Sequence, residues 1–179
     1  MPPLTTEGLT ELLRGYVRRT GAPVDILLVG GLALQAYGFA DRATQDVDGE
    51  MVGDPEPLVN FLREHRVPAD LGEDLSRWSV VAMPPGYRER ASVLLEQPGL
   101  RLRLLHPNDF VIAKLRRGTD LDLDDAAYVV RRFGLSLQAV EDAAASAIAA
   151  SPRDTALFLF RTTVQVFCTR MVRQGDVTS

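Results

Sequence analysis

The residues best suited to chemistry in this sequence are three acids at alternating positions, Asp46, Asp48 and Glu50, within the run 46–52. A strand turns residues i, i+2 and i+4 to one face. The three carboxylates therefore share a side, while Val47, Gly49 and Met51 take the other. Carboxylates a few ångströms apart repel each other unless a cation lies between them. Hard oxygen donors at that spacing suit Mg2+ or Mn2+, which take one or two carboxylates together with substrate phosphates. The same alternation also suits the solvated face of an edge strand, where acids discourage aggregation.

Other groups with chemical capacity flank this run. Gly30-Gly31 follows the apolar stretch 24–29 and precedes helix formers, so the pair lies at a strand-to-helix turn. Glycines let a backbone approach phosphate closely, and they also serve plain tight turns. The pattern is neither a Rossmann fingerprint nor a P-loop, because no later glycine and no Gly-Lys-Ser/Thr follows. The loop Asp41-Arg42-Ala43-Thr44-Gln45 sets Arg42 and Thr44 just ahead of the acids, where either suits a triphosphate or simply a surface loop. Further on, Lys114 stands among Val111, Ile112 and Leu115, and Asp122 and Asp125 are spaced i, i+3 on a helix face. A partly buried lysine near carboxylates is an ion-pair partner or a phosphate ligand. The basic pairs Arg101/Arg103, Arg116-Arg117 and Arg131-Arg132 are solvated charges or an acceptor patch for nucleic acid. His65 and His106 fall in no metal-ligand spacing, and the single cysteine, Cys168, reads as a buried helix thiol.

These groups must be carried by secondary structure. The periodicity predicts a helix from Thr5 or Thr6 to about Arg19, a strand over 24–29, a helix over 32–37 and a strand over 46–52. A helix to about His65, a short helix over 70–77 and an extended stretch over 78–83 follow. Strands over 91–96 and 100–105 are separated by Gln97-Pro98-Gly99, which predicts a hairpin. From His106 the pattern is helical: a helix capped by Asn108, one over 121–132, an alanine-rich one capped by Ser136, and one that begins at Pro152 and ends near Arg173, before a frayed tail. The class is α+β: a small mixed sheet with flanking helices over 1–105, then a helical part over 106–179 packed on it.

The chain has 179 residues, 46% of them hydrophobic and 25% charged, which suits one globular domain with a helical appendage. Twenty basic against 24 acidic residues leave a net charge of -4, so there is no global pull toward nucleic acid or anionic membrane. A single cysteine permits no internal disulfide, and Met1-Pro2-Pro3-Leu4-Thr5 lacks the pattern of a signal peptide. The expectation is a cytoplasmic protein with no membrane association.

The order of the motifs adds to this. Leu28-Val29-Gly30-Gly31-Leu32-Ala33-Leu34, then Tyr37-Gly38, then Arg42-Ala43-Thr44-Gln45-Asp46-Val47-Asp48 resembles the nucleotidyltransferase superfamily that shares the DNA polymerase β palm. It is most similar to the branch of abortive-infection and toxin–antitoxin nucleotidyltransferases, which also carries a downstream lysine before an Asp-x-x-Asp helix, here Lys114 and Asp122 to Asp125. The resemblance implies that Asp46 and Asp48 hold the metal and that Lys114 and Asp122 complete the catalytic set. It implies that Gly30, Gly31, Arg42 and Thr44 bind the nucleoside triphosphate. It implies transfer of a nucleoside monophosphate to an RNA such as tRNA, a protein hydroxyl or a small molecule, with a cognate antitoxin as a partner. Superfamily members often add a third carboxylate from a later strand. Leu100-Arg101-Leu102-Arg103-Leu104 offers arginines there, which leaves Glu50 and Glu96 as substitutes.

Two other readings fit the same residues. One is a catalytically degenerate binding or regulatory module on this fold. The other is a homodimer that uses the alanine-rich helix 136–150 and the apolar run 156–160.

Overall fold

A computed structural model of the protein describes residues 3–40 and 42–175. Asp41 of the Arg42 loop and the tail 176–179 lie outside the described residues. The chain forms two compact units, Met1–Asp74 with Ala91–Leu105, and Leu75–Arg90 with His106–Ser179. One division falls at the expected position, 105/106. The segment Leu75–Arg90, expected in the sheet-bearing part, belongs instead to the helical unit. The fold is α+β.

The first unit is a five-stranded mixed sheet in the order β3-β2-β1-β5-β4. Its strands are β1 (Val24–Leu28), β2 (Val47–Met51), β3 (Ala69–Gly72), β4 (Ser92–Gln97) and β5 (Leu100–Leu104). Strand β1 runs antiparallel to β2 and parallel to β5, and β2 runs parallel to β3. The acidic strand β2 is therefore interior, between β1 and β3, and not the edge strand that a purely solvated acidic face would require.

Register divides the sheet into two faces. Val24, Ile26 and Leu28 pair with Leu100, Leu102 and Leu104, and Met51, Gly49 and Leu71 continue that side. Leu9, Leu13 and Tyr16 of α1 (Thr6–Thr20) and Leu58, Phe61 and Leu62 of α3 (Glu56–Glu64) are buried and complete this core. Tyr16 meets Phe61 edge to face, with ring centroids 5.3 Å apart. The opposite face carries Asp25, Leu27, Asp48, Glu50, Asp70, Arg101 and Arg103.

The second unit holds a 3₁₀ turn (Leu75–Trp78), the one-turn helix α4 (Tyr87–Arg90), α5 (Pro107–Arg117), α6 (Asp120–Phe133), α7 (Leu137–Ala150) and α8 (Ala156–Arg173). Glycines in the left-handed conformation end α5 and α6, at Gly118 (φ 68°) and Gly134 (φ 60°).

Several expectations are corrected. The predicted helix over 70–77 is strand β3 followed by the 3₁₀ turn, because Leu71 is buried and β3 pairs along β2, a nonlocal gain that local propensity does not register. The stretch 78–83 is not a strand. A guanidinium takes two of its carbonyls: Arg116 Nε donates to that of Val81 (2.7 Å), and a terminal nitrogen of Arg116 donates to that of Ser79 and to that of Leu75 in the preceding 3₁₀ turn. His106, not Asn108, caps α5, its Nδ1 accepting from the Asn108 amide. Helix α8 begins at Ala156, where Asp154 accepts from the Ala156 amide, and leaves Pro152 in the preceding loop. Cys168 is buried, and burial, with Glu141 adding to it, pushes its thiol up to about 11, so the thiolate is disfavoured. No described helix is long and apolar enough to cross a membrane.

A Cβ on Gly49 would stand 2.7 Å from the Leu27 carbonyl oxygen and 3.0 Å from the Ile26 side chain. Gly49→Ala therefore forces β1 and β2 apart and lowers stability by about 1–3 kcal/mol. Urea unfolding should show a lower midpoint at unchanged slope. An unchanged midpoint would contradict this register.

Candidate functional site

The β1–α2 turn and strand β2 meet at unusually close range. Gly30 caps α2 (Gly31–Ala36), and a Cβ placed on it would fall 2.2 Å from Asp48 Oδ2 and 2.9 Å from Asp48 Cβ. A Cβ on Gly31 would fall 2.6 Å from Thr44 Cβ. Real side chains never approach this closely, so both positions require glycine for space. Their φ values are not in the left-handed region, so the requirement is not conformational. The Val29 amide donates to the Asp48 carbonyl (3.1 Å) and carries the β1–β2 ladder up to the glycines.

The loop ahead of β2 is fixed from two sides. The Leu4 amide donates to the Thr44 carbonyl (2.7 Å), and Gln35 Nε2 on α2 donates to the carbonyls of Leu4 (3.0 Å) and Arg42 (2.9 Å). Tyr37 Oη anchors the end of α2 to the Leu105 carbonyl at 2.6 Å. Thr44, almost buried, donates from Oγ1 to Asp46 Oδ1 at 2.6 Å. Gly30, Gly31, Thr44, Asp46 and Asp48 thus converge, and Arg42 is held two residues before Thr44. Exposure falls along the acidic strand: Asp46 is exposed, Asp48 half-buried and Glu50 buried at 3%.

A further carboxylate stands on β3 rather than on β5. Asp70 on β3 is the register partner of Asp48 in a parallel pair, so both side chains leave the same face from strands about 5 Å apart. Glu50 is in the interior, and Glu96 is exposed on β4, at the opposite edge from β3. Asp70 was hidden by its placement in a predicted helix. The signal that could have found it is Ala69-Asp70-Leu71, an acid between small and apolar residues just after Pro68.

Asp46 and Asp48 offer hard oxygen donors near the glycine turn, and Asp70 adds one on the neighbouring strand. Among the described residues no three His, Cys, Asp or Glu side chains form a ready-made metal cage. That donor set fits the open pattern of Mg2+, which takes one or two carboxylates and completes its shell with phosphate oxygens and water.

Lys114 and Asp122 are brought together in the helical unit, where their charges are spent on each other and on their neighbours. Asp122 is fully buried. It accepts from Arg117 Nε (3.1 Å) and Nη2 (2.6 Å), from Thr119 Oγ1 (2.7 Å) and from Lys114 Nζ (3.3 Å). Lys114 Nζ also donates to Asp125 at 2.8 Å, and Thr119 and Asp122 form the capping box of α6. The geometry favours the ion-pair reading of Lys114 over the phosphate-ligand reading. The basic pairs are similarly engaged. Arg103 bonds Asp25 at 2.7 Å, Arg101 lies 3.7 Å from Glu96, Arg116 holds loop carbonyls and Arg131 bonds Gln174.

The chain belongs to the family described as nucleotidyltransferase of unknown function (DUF6036), which it matches over residues 7–156. A solved structure, an antigenic nucleotidyltransferase-like protein from Paracoccidioides brasiliensis, is similar at 17% identity and a TM-score of 0.47, over 96% of this chain and 90% of that one. A comparison with curated proteins found no match.

Burial alone would push the Asp122 carboxyl up, but hydrogen bonds from Arg117 and Thr119 and the charges of Lys114 and Arg117 bring it below its ordinary 3.8. A depressed carboxyl stabilises the fold above the ordinary value, and that stabilisation is lost as pH falls through the lower folded value. Asp122→Asn should cost about 3–5 kcal/mol near neutrality. Chemical denaturation across pH should show the gap from wild type closing below 3.8. An Asp122→Asn protein of unchanged stability that fails only in nucleotide chemistry would instead make Asp122 catalytic.

Proposed function

We propose that the protein is a metal-dependent nucleotidyltransferase that moves a nucleoside monophosphate from a nucleoside triphosphate to an acceptor hydroxyl. The observation that carries this reading is the fit of Asp48 and Thr44 into the space that side chains on Gly30 and Gly31 would fill. Such a turn seats a carboxylate and a hydroxyl directly against the backbone, so that a cation ligand and a phosphate-binding group share one small site. Asp46 and Asp48 would hold Mg2+ or Mn2+, with Asp70 as the third acid. Bound there, the cation would neutralise charge on the α-phosphate and the departing pyrophosphate.

The other roles belong to the chain's own groups. Gly30 and Gly31 would bind the triphosphate through the backbone turn against which Asp48 and Thr44 are seated. The Thr44 hydroxyl, oriented by Asp46, turns toward the terminal phosphate, and Arg42 supplies positive charge beside it. Lys114 and Asp122 act as positioning residues that fix the start of α6. The acceptor is an RNA such as tRNA, a protein hydroxyl or a small molecule, and toxin activity held by a cognate antitoxin is one role this chemistry would serve.

Incubation with Mg2+, labelled nucleoside triphosphates and total RNA or protein should transfer label. Asp48→Asn and Asp70→Asn should each reduce transfer by at least about 100-fold, the loss expected when several kcal/mol of charge stabilisation is removed. Absence of transfer, with nucleotide binding retained in Asp48→Asn, would leave the degenerate binding module as the better reading.

A further inference from the structure

Helix α8 carries four of the nine large apolar side chains exposed among the described residues: Phe158 (71%), Leu159 (66%), Val166 (54%) and Val172 (48%). Its other side already packs into the helical unit through Phe160, Val164, Phe167 and Met171, all buried. A helix apolar on two sides has a second surface to cover. Phe158, Thr162, Val166 and Thr169 are spaced i, i+4, i+8 and i+11, one stripe along the outer face. The hydroxyls of Thr162 and Thr169 donate back to the carbonyls of Phe158 (3.0 Å) and Gln165 (2.8 Å), which turns their methyl groups outward and extends the stripe. The alanine-rich α7, by contrast, exposes no large apolar side chain.

The charge on α8 has one sign. Every charged side chain on it is an arginine: Arg161, Arg170 and Arg173. Arg170 bonds Asp124 at 2.5 Å, and Arg161 and Arg173 are exposed near the two ends of the stripe, about 18 Å apart along the axis. Beside the C-terminal end, Leu137, Glu141, Cys168, Val172 and Arg173 line a cavity of about 760 Å³, large enough for an anchoring side chain.

We propose that the outer face of α8 docks an amphipathic helix of a partner protein, whose apolar seam fits the Phe158–Val172 stripe and whose flanking Asp or Glu residues meet Arg161 and Arg173. A second copy of this chain fits poorly. Antiparallel pairing about the centre of the stripe sets Arg173 over Leu157 of the other copy and gives it no acid on the facing helix, and parallel pairing opposes each arginine to itself. A lipid surface fits poorly as well, because Thr162, Gln165 and Thr169 run along the middle of the face and the chain is acidic overall. The face lies beyond the family match, which ends at residue 156, and its test reads helix binding, not nucleotide transfer.

The test is selection from a displayed library of amphipathic helices with randomised flanking positions against the full chain, followed by anisotropy titration of the synthetic winners. Enrichment of Asp and Glu at the flanks supports the proposal. So does weakening of at least about tenfold in Phe158→Glu, the cost of losing one aromatic anchor. Arg161→Glu with Arg173→Glu should shift the preference toward Lys-flanked helices. All three positions are exposed, so thermal unfolding should be unchanged. Winners without acidic flanks, or binding indifferent to Phe158→Glu, overturn it. A dimer seen by light scattering and broken by Phe158→Glu assigns the face to a second copy. Sedimentation with phosphatidylserine vesicles lost in Phe158→Glu assigns it to a membrane. Either result also overturns the proposal.

Discussion

Two missing Cβ atoms set the geometry of the sheet-bearing unit. At Gly30 and Gly31 the chain passes so close to Asp48 and Thr44 that no side chain fits between them, and Gly49 repeats the condition one residue along, against the Leu27 carbonyl. Close approach brings the acids of β2 against the strand-to-helix turn. It also holds β2 as an interior strand, which lets β3 pair on its far side and set Asp70 beside Asp48. The hydrogen bonds from Leu4, Gln35 and Thr44 then fix a loop whose position the glycines already constrain.

The helical unit is organised by a different interaction. Asp122 gathers Lys114, Arg117 and Thr119, and Asp125 takes the remaining reach of the lysine. Buried charges of this kind contribute through specificity more than through net stability, since each is costly without its partners. They fix where α5 stops and α6 starts. Arg116 extends the same principle to an irregular segment, where a guanidinium replaces a sheet ladder for the carbonyls of Leu75, Ser79 and Val81.

Much of this was legible from local pattern. The apolar run before Gly30-Gly31, the alternating acids and the Gln97-Pro98-Gly99 hairpin each state their element within a few residues. Strand β3 does not, because its four residues become a strand only through β2, and so the partner of Asp48 was sought on β5, where Arg103 instead neutralises Asp25. Lys114 and Asp122 show a related limit. Sequence spacing brings charges together on helices but does not say whether they face a substrate or each other. Thr44, Asp46 and Asp48 are close in sequence, so their proximity to the glycine turn follows from adjacent backbone.

The central claim is that the glycine turn and the acids of β2 form one cation-dependent phosphate site. Calorimetric titration of the four ribonucleoside triphosphates, with and without Mg2+, tests it most directly when the wild type is compared with Gly30→Ala. The account predicts binding that requires Mg2+ and that is lost in Gly30→Ala, whose new methyl group takes the space of the Asp48 carboxylate. Binding that is indifferent to Mg2+ and survives Gly30→Ala would contradict it.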